Sequence, residues 1–247
     1  MKSFISIPLF LTLAVVLGSV GAEVNPKNCL EAQVLDLLSK WQNGDENITS
    51  SVPSLENISL KSVDGVYEGF GIRISYTTGE MQLRGVNRLI VEELSVSTSD
   101  LEASTTLHFP LLSLTAEQYN LKGRAYLMYS LKGAGLMNAT FQNVKVTVGS
   151  KLVTNDTVMQ VDDVNLNFSV GSIQVDLADS SWPINKVLNS SAMKIVENHR
   201  KEIVTAAKDF LKPVVNDYLA TMTSSQLLSI AAKDYCNFSL TSIDFPK

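Results

Sequence analysis

The sequence has 247 residues, 45% hydrophobic and 18% charged, enough apolar material for one large core or two modest ones, which excludes a disordered chain. Its 20 Lys and Arg against 25 Asp and Glu give a net charge of -5, and no basic run exceeds two residues, which argues against nucleic acid as a partner. Cys29, Cys236, His108 and His199 are too few and too scattered for a zinc site, which needs about four clustered donors, so no structural metal or cofactor is expected.

Lys2, the apolar run from Ile7 to Leu17 and the small residues Val20-Gly21-Ala22 predict a secretory leader over residues 1–22, leaving a single domain over 23–247 outside the cell. The run is shorter than the roughly 20 residues of a membrane span, and no later stretch approaches it, so stable membrane insertion is not expected. Secretion gives meaning to seven Asn-x-Ser/Thr sequons, at Asn47, Asn57, Asn138, Asn155, Asn167, Asn189 and Asn237, as candidate glycan sites. A glycan must face water, so each sequon also reports which face of its segment points outward.

From Asn28 to Trp41 the residues Leu30, Val34, Leu38 and Trp41 recur at helical spacing, with Asn28 as cap and Glu31 three residues on. Gln42 to Pro53 is polar and reads as a loop. Between Asn57 and Leu177 the period falls to two. Val66, Phe70, Ile72, Ile74 and Tyr76 share a parity, as do Leu101, Ala103, Leu107 and Phe109. Tyr119 to Leu131 alternates most clearly, with Leu121, Ala125, Leu127 and Tyr129 on its apolar face.

Asn138 outward places Met137, Ala139 and Phe141 inward, but Val144, Val146 and Val148 have the opposite parity, which predicts a bulge near Gln142-Asn143. Asn167 outward places Val164, Leu166, Phe168 and Val170 inward, and Gly171 resets the parity for Ile173, Val175 and Leu177. Strands of ten to fifteen residues must coil strongly and wrap around something. From Pro183 to Met222 apolar residues recur every three or four positions, through Ile195, His199, Ile203, Phe210 and Tyr218, which predicts one long helix kinked at Pro213. The fold class is therefore α+β: a highly curved antiparallel β-sheet wrapped around one long C-terminal α-helix, with a short N-terminal helix.

The run Tyr119-Asn120-Leu121-Lys122-Gly123-Arg124, then Ser130-Leu131-Lys132-Gly133-Ala134-Gly135 and Phe141-Gln142-Asn143-Val144-Lys145-Val146, resembles the central hairpin of the juvenile-hormone-binding and takeout-like proteins of arthropods. Val161-Asp162-Asp163-Val164-Asn165-Leu166-Asn167-Phe168, leading through Gly171-Ser172-Ile173-Gln174-Val175 into the long helix, carries the same resemblance. It implies a half of the architecture of the bactericidal permeability-increasing and lipid-transfer proteins, with a hydrophobic tunnel between helix and sheet for a hormone, terpenoid or fatty-acyl ligand. The chain departs from that family in its cysteines: only Cys29 lies near the mature N-terminus, and Cys236 follows the long helix. In a secreted protein a Cys29–Cys236 disulfide is the expected pairing; the alternative is one buried thiol and one exposed or joined to another chain.

No nucleophile elbow, metalloprotease helix, P-loop or dinucleotide fingerprint occurs, so the chain is not expected to be an enzyme. The expected function is a monomeric secreted carrier of an elongated hydrophobic small molecule. The candidate tunnel wall is Leu38 and Trp41, then Leu127, Tyr129 and Phe141 from the sheet, and Ile195, His199 and Phe210 from the long helix. Two other readings stay open: a membrane-surface or pattern-recognition protein of the lipopolysaccharide-binding kind, and a glycoprotein with a filled core that acts through protein contacts.

Overall fold

The computed structural model describes residues 24–44, 54–69, 71–97, 99, 101–126, 128–155, 158–220, 225 and 229. The expected leader, Asn47, Phe70, Leu127, Met222, Cys236 and Asn237 lie outside the described residues.

Helix α1 is Cys29–Gln42, as the spacing predicts. The strands are β1 (Asn57–Leu60), β2 (Asp64–Gly69), β3 (Ile72–Thr78), β4 (Met81–Arg84), β5 (Ile90–Ser97), β6 (Glu102–Ala125), β7 (Tyr129–Asn155), β8 (Val158–Ser169) and β9 (Ser172–Leu177), followed by helices α2 (Ile184–Asn198) and α3 (Arg200–Leu219). The fold is α+β, with one open, extended antiparallel sheet.

Strands β6 and β7, of 24 and 27 residues, form its spine and are far longer than the sequence suggests. At about 3.3 Å per residue they run for roughly 80–90 Å. Short strands tile both flanks. On β6 lie β5 against residues 102–108, β4 against 113–116 and β3 against 119–125. On β7 lie β9 against residues 137–142 and β8 against 145–155.

A crease crosses this sheet near its middle. On β7 the buried parity passes from Ala139 to Val144, and on β6 from Phe109 to Ala116, so both strands exchange their faces at the same level. The parity reset expected at Gln142-Asn143 is therefore present, but it is not a one-sided bulge. Phe109 still faces Val144 and Leu111 still faces Gln142, so the register is kept. Asn143 adopts φ 51°, and Pro110 stands opposite it, where the flank has no strand between β5 and β4 and the missing N–H costs no ladder bond. On the far flank Gly171 N donates to the carbonyls of Gln142 and Asn143, in the gap between β8 and β9.

The alternation from Tyr119 to Leu131 is not one strand but two arms of a hairpin, β6 ending at Ala125 and β7 beginning at Tyr129. Near the turn Leu121 faces Gly133 and Gly123 faces Leu131. Partners are odd with odd, so the apolar parity passes through the turn without a break and periodicity cannot reveal it.

The single long helix expected after Pro183 is two helices that meet at His199. Helix α2 packs along β9 and α3 along β8, so the junction falls where the sheet creases. Arg200 fixes it there: its guanidinium lies 4.4 Å from the Phe168 ring centroid and donates to Phe168 O at 2.7 Å and Asn167 Oδ1 at 3.0 Å. Pro213 lies inside α3, as the sequence places it. Its neighbourhood is exposed, so water can satisfy the carbonyl that proline leaves without a donor.

Side-chain amides hold the helices to the strand edges. Asn185 Oδ1 accepts from Leu177 N at 3.0 Å, and Asn189 Oδ1 accepts from Val175 N at 2.6 Å while its Nδ2 donates to Val175 O at 2.8 Å. Four helical residues rise about 6 Å and two strand residues about 6.8 Å, so this spacing lets one helix face serve one strand edge. Asn57, Asn138 and Asn167 are exposed, in agreement with the outward faces argued from the sequons. Asn189 is exposed too, but a glycan would replace a hydrogen on the nitrogen that holds Val175. Asn189 is expected to carry less glycan than Asn57, Asn138 or Asn167, as read by glycopeptide mass spectrometry; occupancy equal to that of Asn57 would contradict the clamp.

Candidate functional site

Helix α1 is fastened at one end to the edge of β5 and at the other to the residues that lead into it. Asn28 Oδ1 caps Glu31 N at 2.9 Å, and Asn28 Nδ2 donates to Val96 O at 3.2 Å. Glu31, only 2% exposed, accepts from Val96 N at 3.1 Å and from Lys27 N at 2.6 Å. The capping box thus also satisfies both backbone groups of Val96. At the other end Gln42 Nε2 donates to Leu89 O at 2.7 Å and Asn87 O at 3.2 Å. Trp41 is thereby held over the inner face of the sheet beside the crease.

The apolar core is divided into three clusters. The first joins Tyr119, Leu121 and Leu131 of the hairpin to Ile74 and to Ile184 of α2. Tyr119 O–H donates to Ala178 O at 2.6 Å, and burial, then the charges of Asp179 and Asp176, push its phenol above the ordinary value. The third joins Val161 and Val164 of β8 to Leu219 of α3. The second, at the crease, is the candidate site: only Leu55, Leu89, Phe109 and Val144 are fully buried, whereas Trp41, Leu107, Leu112, Phe141, Val146 and others around them are half-covered. Half-covered apolar side chains gathered on an inner face are the kind of surface from which an apolar binding wall is built.

The sequence candidates divide accordingly. Trp41 and Phe141 meet in the second cluster. Leu38 and Ile195 are half-buried, on α1 and α2. Tyr129 is 62% and Phe210 44% exposed, His199 is also exposed, and none of the three belongs to a cluster. Phe210 and Ile203 share a flank of α3 turned away from β8, which α3 meets through Leu219. The helical period identifies the apolar stripe, but the crease decides which part of it is covered.

Sequence reading also missed the polar surroundings. On the other face of the sheet, His108 Nδ1 lies 3.5 Å from Glu92 Oε1, and Lys145 Nζ lies 2.8 Å from Glu92 Oε2. Among the described residues the buried side-chain atoms without a protein partner are His108 Nε2 and Gln33 Oε1, the latter on α1 about two turns before Trp41. A cleft of about 470 Å³ between α3 and β8 is lined by Asp163, Val164, Lys208, Asp209, Lys212, Pro213 and Asn216, and none of the expected tunnel residues is among them. No cluster of three metal-ligating side chains occurs among the described residues.

A family model described as haemolymph juvenile hormone binding protein matches residues 21–235. Among solved structures, takeout 1 of Epiphyas postvittana superposes with a TM-score of 0.56 at 15% identity, over 77% of this chain and 93% of that one. At that identity the likeness concerns the fold. Lipopolysaccharide binding protein gives a TM-score of 0.45 at 11% identity, over 76% of this chain and 38% of that one. No curated protein sequence matches the chain.

Proposed function

Because the chain belongs to the haemolymph juvenile hormone binding protein family, we propose that it is a secreted, monomeric carrier of an elongated hydrophobic small molecule, bound without chemical change. The observation that carries this reading is the second cluster, where four buried side chains are ringed by nine half-covered ones under α1. A ligand of terpenoid or fatty-acyl kind would pack against these half-covered side chains. At about 0.8 kcal/mol per buried CH2, fifteen carbons gain roughly 10 kcal/mol before ordering costs, which supports submicromolar affinity. In this proposal Trp41 and Phe141 form the wall, with Leu38 and Ile195 beside them.

The test begins with natively purified, secreted protein, extracted with organic solvent and read by mass spectrometry. A stoichiometric lipid or terpenoid is expected. Trp41→Ala and Phe141→Ala are each expected to weaken binding of an apolar fluorescent probe about tenfold, since truncating a buried aromatic removes more than 1.4 kcal/mol. Empty preparations that take up no probe would point instead to a filled-core glycoprotein.

The secretory origin rests on the leader-like residues 1–22 and the sequons. A Cys29–Cys236 bond is part of the same proposal: Cys29 is buried, and Cys236 is the other cysteine of the chain.

A further inference from the structure

At the hairpin end of the spine the outer face of the sheet is basic, although the chain as a whole is acidic. Arg73 on β3 faces Arg124 on β6, and in the next row Lys122 on β6 faces Lys132 on β7. All four are exposed. Like charges directly opposite each other destabilise a sheet, so two such pairs in adjacent rows are a local cost that folding alone does not explain. Glu68 relieves Arg73 at 2.7 Å, and Asp64 lies on the same face two residues before Val66; no ion pair is formed by Lys122, Arg124 or Lys132 among the described residues.

The same end carries large uncovered apolar side chains. Tyr126 is 67%, Met128 80%, Tyr129 62% and Trp182 85% exposed, and they include three of the four exposed aromatic side chains among the described residues. Trp182 belongs here because its neighbour Ser181 donates its backbone N–H to Lys132 O at 2.7 Å. Tyr126 leans over Gly71, where a Cβ would come within 2.7 Å of its ring. The arginine row lies two residues from the turn and the lysine row four, roughly 7 and 14 Å along the strands.

We propose that this end of the molecule docks on the surface of an anionic phospholipid membrane, with Trp182, Tyr126 and Met128 in the interfacial layer and Arg73, Lys122, Arg124 and Lys132 against headgroup phosphates. Amphipathic aromatic rings settle at headgroup depth, and basic side chains within about a Debye length of the surface add to the attraction. The acidic remainder of the chain limits docking to this end and keeps it reversible. No helix among the described residues is long and apolar enough to cross a membrane. Docking goes beyond the carrier function and places a delivery surface some distance along the spine from the apolar basin.

The test is sedimentation of the full secreted chain with vesicles of phosphatidylcholine alone and of phosphatidylcholine with phosphatidylserine. Binding to the anionic vesicles is expected, weakening as salt rises. Lys122→Gln/Lys132→Gln is expected to lower partitioning by about tenfold or more, and Trp182→Ser to lower it on its own, while both variants keep parental uptake of the apolar probe. Equal binding to both vesicles, no binding, or variants that bind like the parent would overturn the proposal. Retention on heparin without vesicle binding would assign the basic face to an acidic polysaccharide and overturn it as well.

Discussion

Gly123→Ala is expected to lower the free energy of unfolding by about 3 kcal/mol, whereas Gly149→Ala should change it by less than about 1 kcal/mol. Both glycines lie on the spine. Gly123 is flanked by Ile74 of β3 and Leu131 of β7, and a Cβ there would fall on the carbonyl oxygen of Arg73 and on Ile74 Cγ2, and 2.7 Å from Ile74 Cα. Two of these atoms are backbone, so β3 must separate from β6 to admit the methyl. The separation would also uncover Ile74, Leu121 and Leu131, which form the first cluster. At Gly149 the nearest atom is Asn165 Cβ at 3.8 Å, an ordinary contact. Urea unfolding midpoints of the two variants check the contrast. Equal tolerance at both positions would show that β3 does not sit on β6 in this register.

The second large effect concerns the cysteines. Breaking the proposed Cys29–Cys236 bond, by reduction or by Cys29→Ser, is expected to cost roughly 5 kcal/mol, the chain-entropy value for closing a loop of about 200 residues. Cys29 is the first residue of α1 and 2% exposed, so the bond would hold the end of the helix whose far end carries Trp41. Loss of the bond should therefore weaken probe binding along with stability. Denaturant midpoints with and without reductant measure the first effect, and peptide mapping without reduction identifies the pair. Two titratable thiols in the unfolded, unreduced protein would refute it.

Much of this arrangement is written in local pattern. Asn28 and Glu31 announce the start of α1 because a cap is a short-range device, and the structure shows them bonded as expected. The parity change between Phe141 and Val144 is visible because a half-buried strand records its orientation in every second residue. What the pattern does not record is alignment between distant segments. Nothing in Pro110, Asn143 or Gly171 taken singly says that they lie across from one another, and their alignment is what turns three local irregularities into one crease. The same limit explains the helix: its apolar stripe is periodic from Ile195 to Phe210, but Arg200 breaks it because Phe168 is near in space, not in sequence. That Trp41 and Phe141 face the apolar side is legible from their spacing alone, and both join the second cluster. The basic face was not, because Arg73 and Arg124 become neighbours only through pairing 51 residues apart in the chain.

The pairing of β6 with β7 has a consequence for how the chain acquires its shape. Tyr129 meets Ala125 across the tightest loop in the spine, and each further pair closes a loop only slightly larger than the last, until Glu102 meets Lys151. Assembly can proceed like a zipper from the Ala125–Tyr129 pair, with each step carrying a small increment of loop-closure entropy despite the great final reach of the strands. The flanking strands then arrive on a template already in place. On such a route, substitutions at the zipper's start are expected to slow folding, and substitutions in α2 and α3 to speed unfolding.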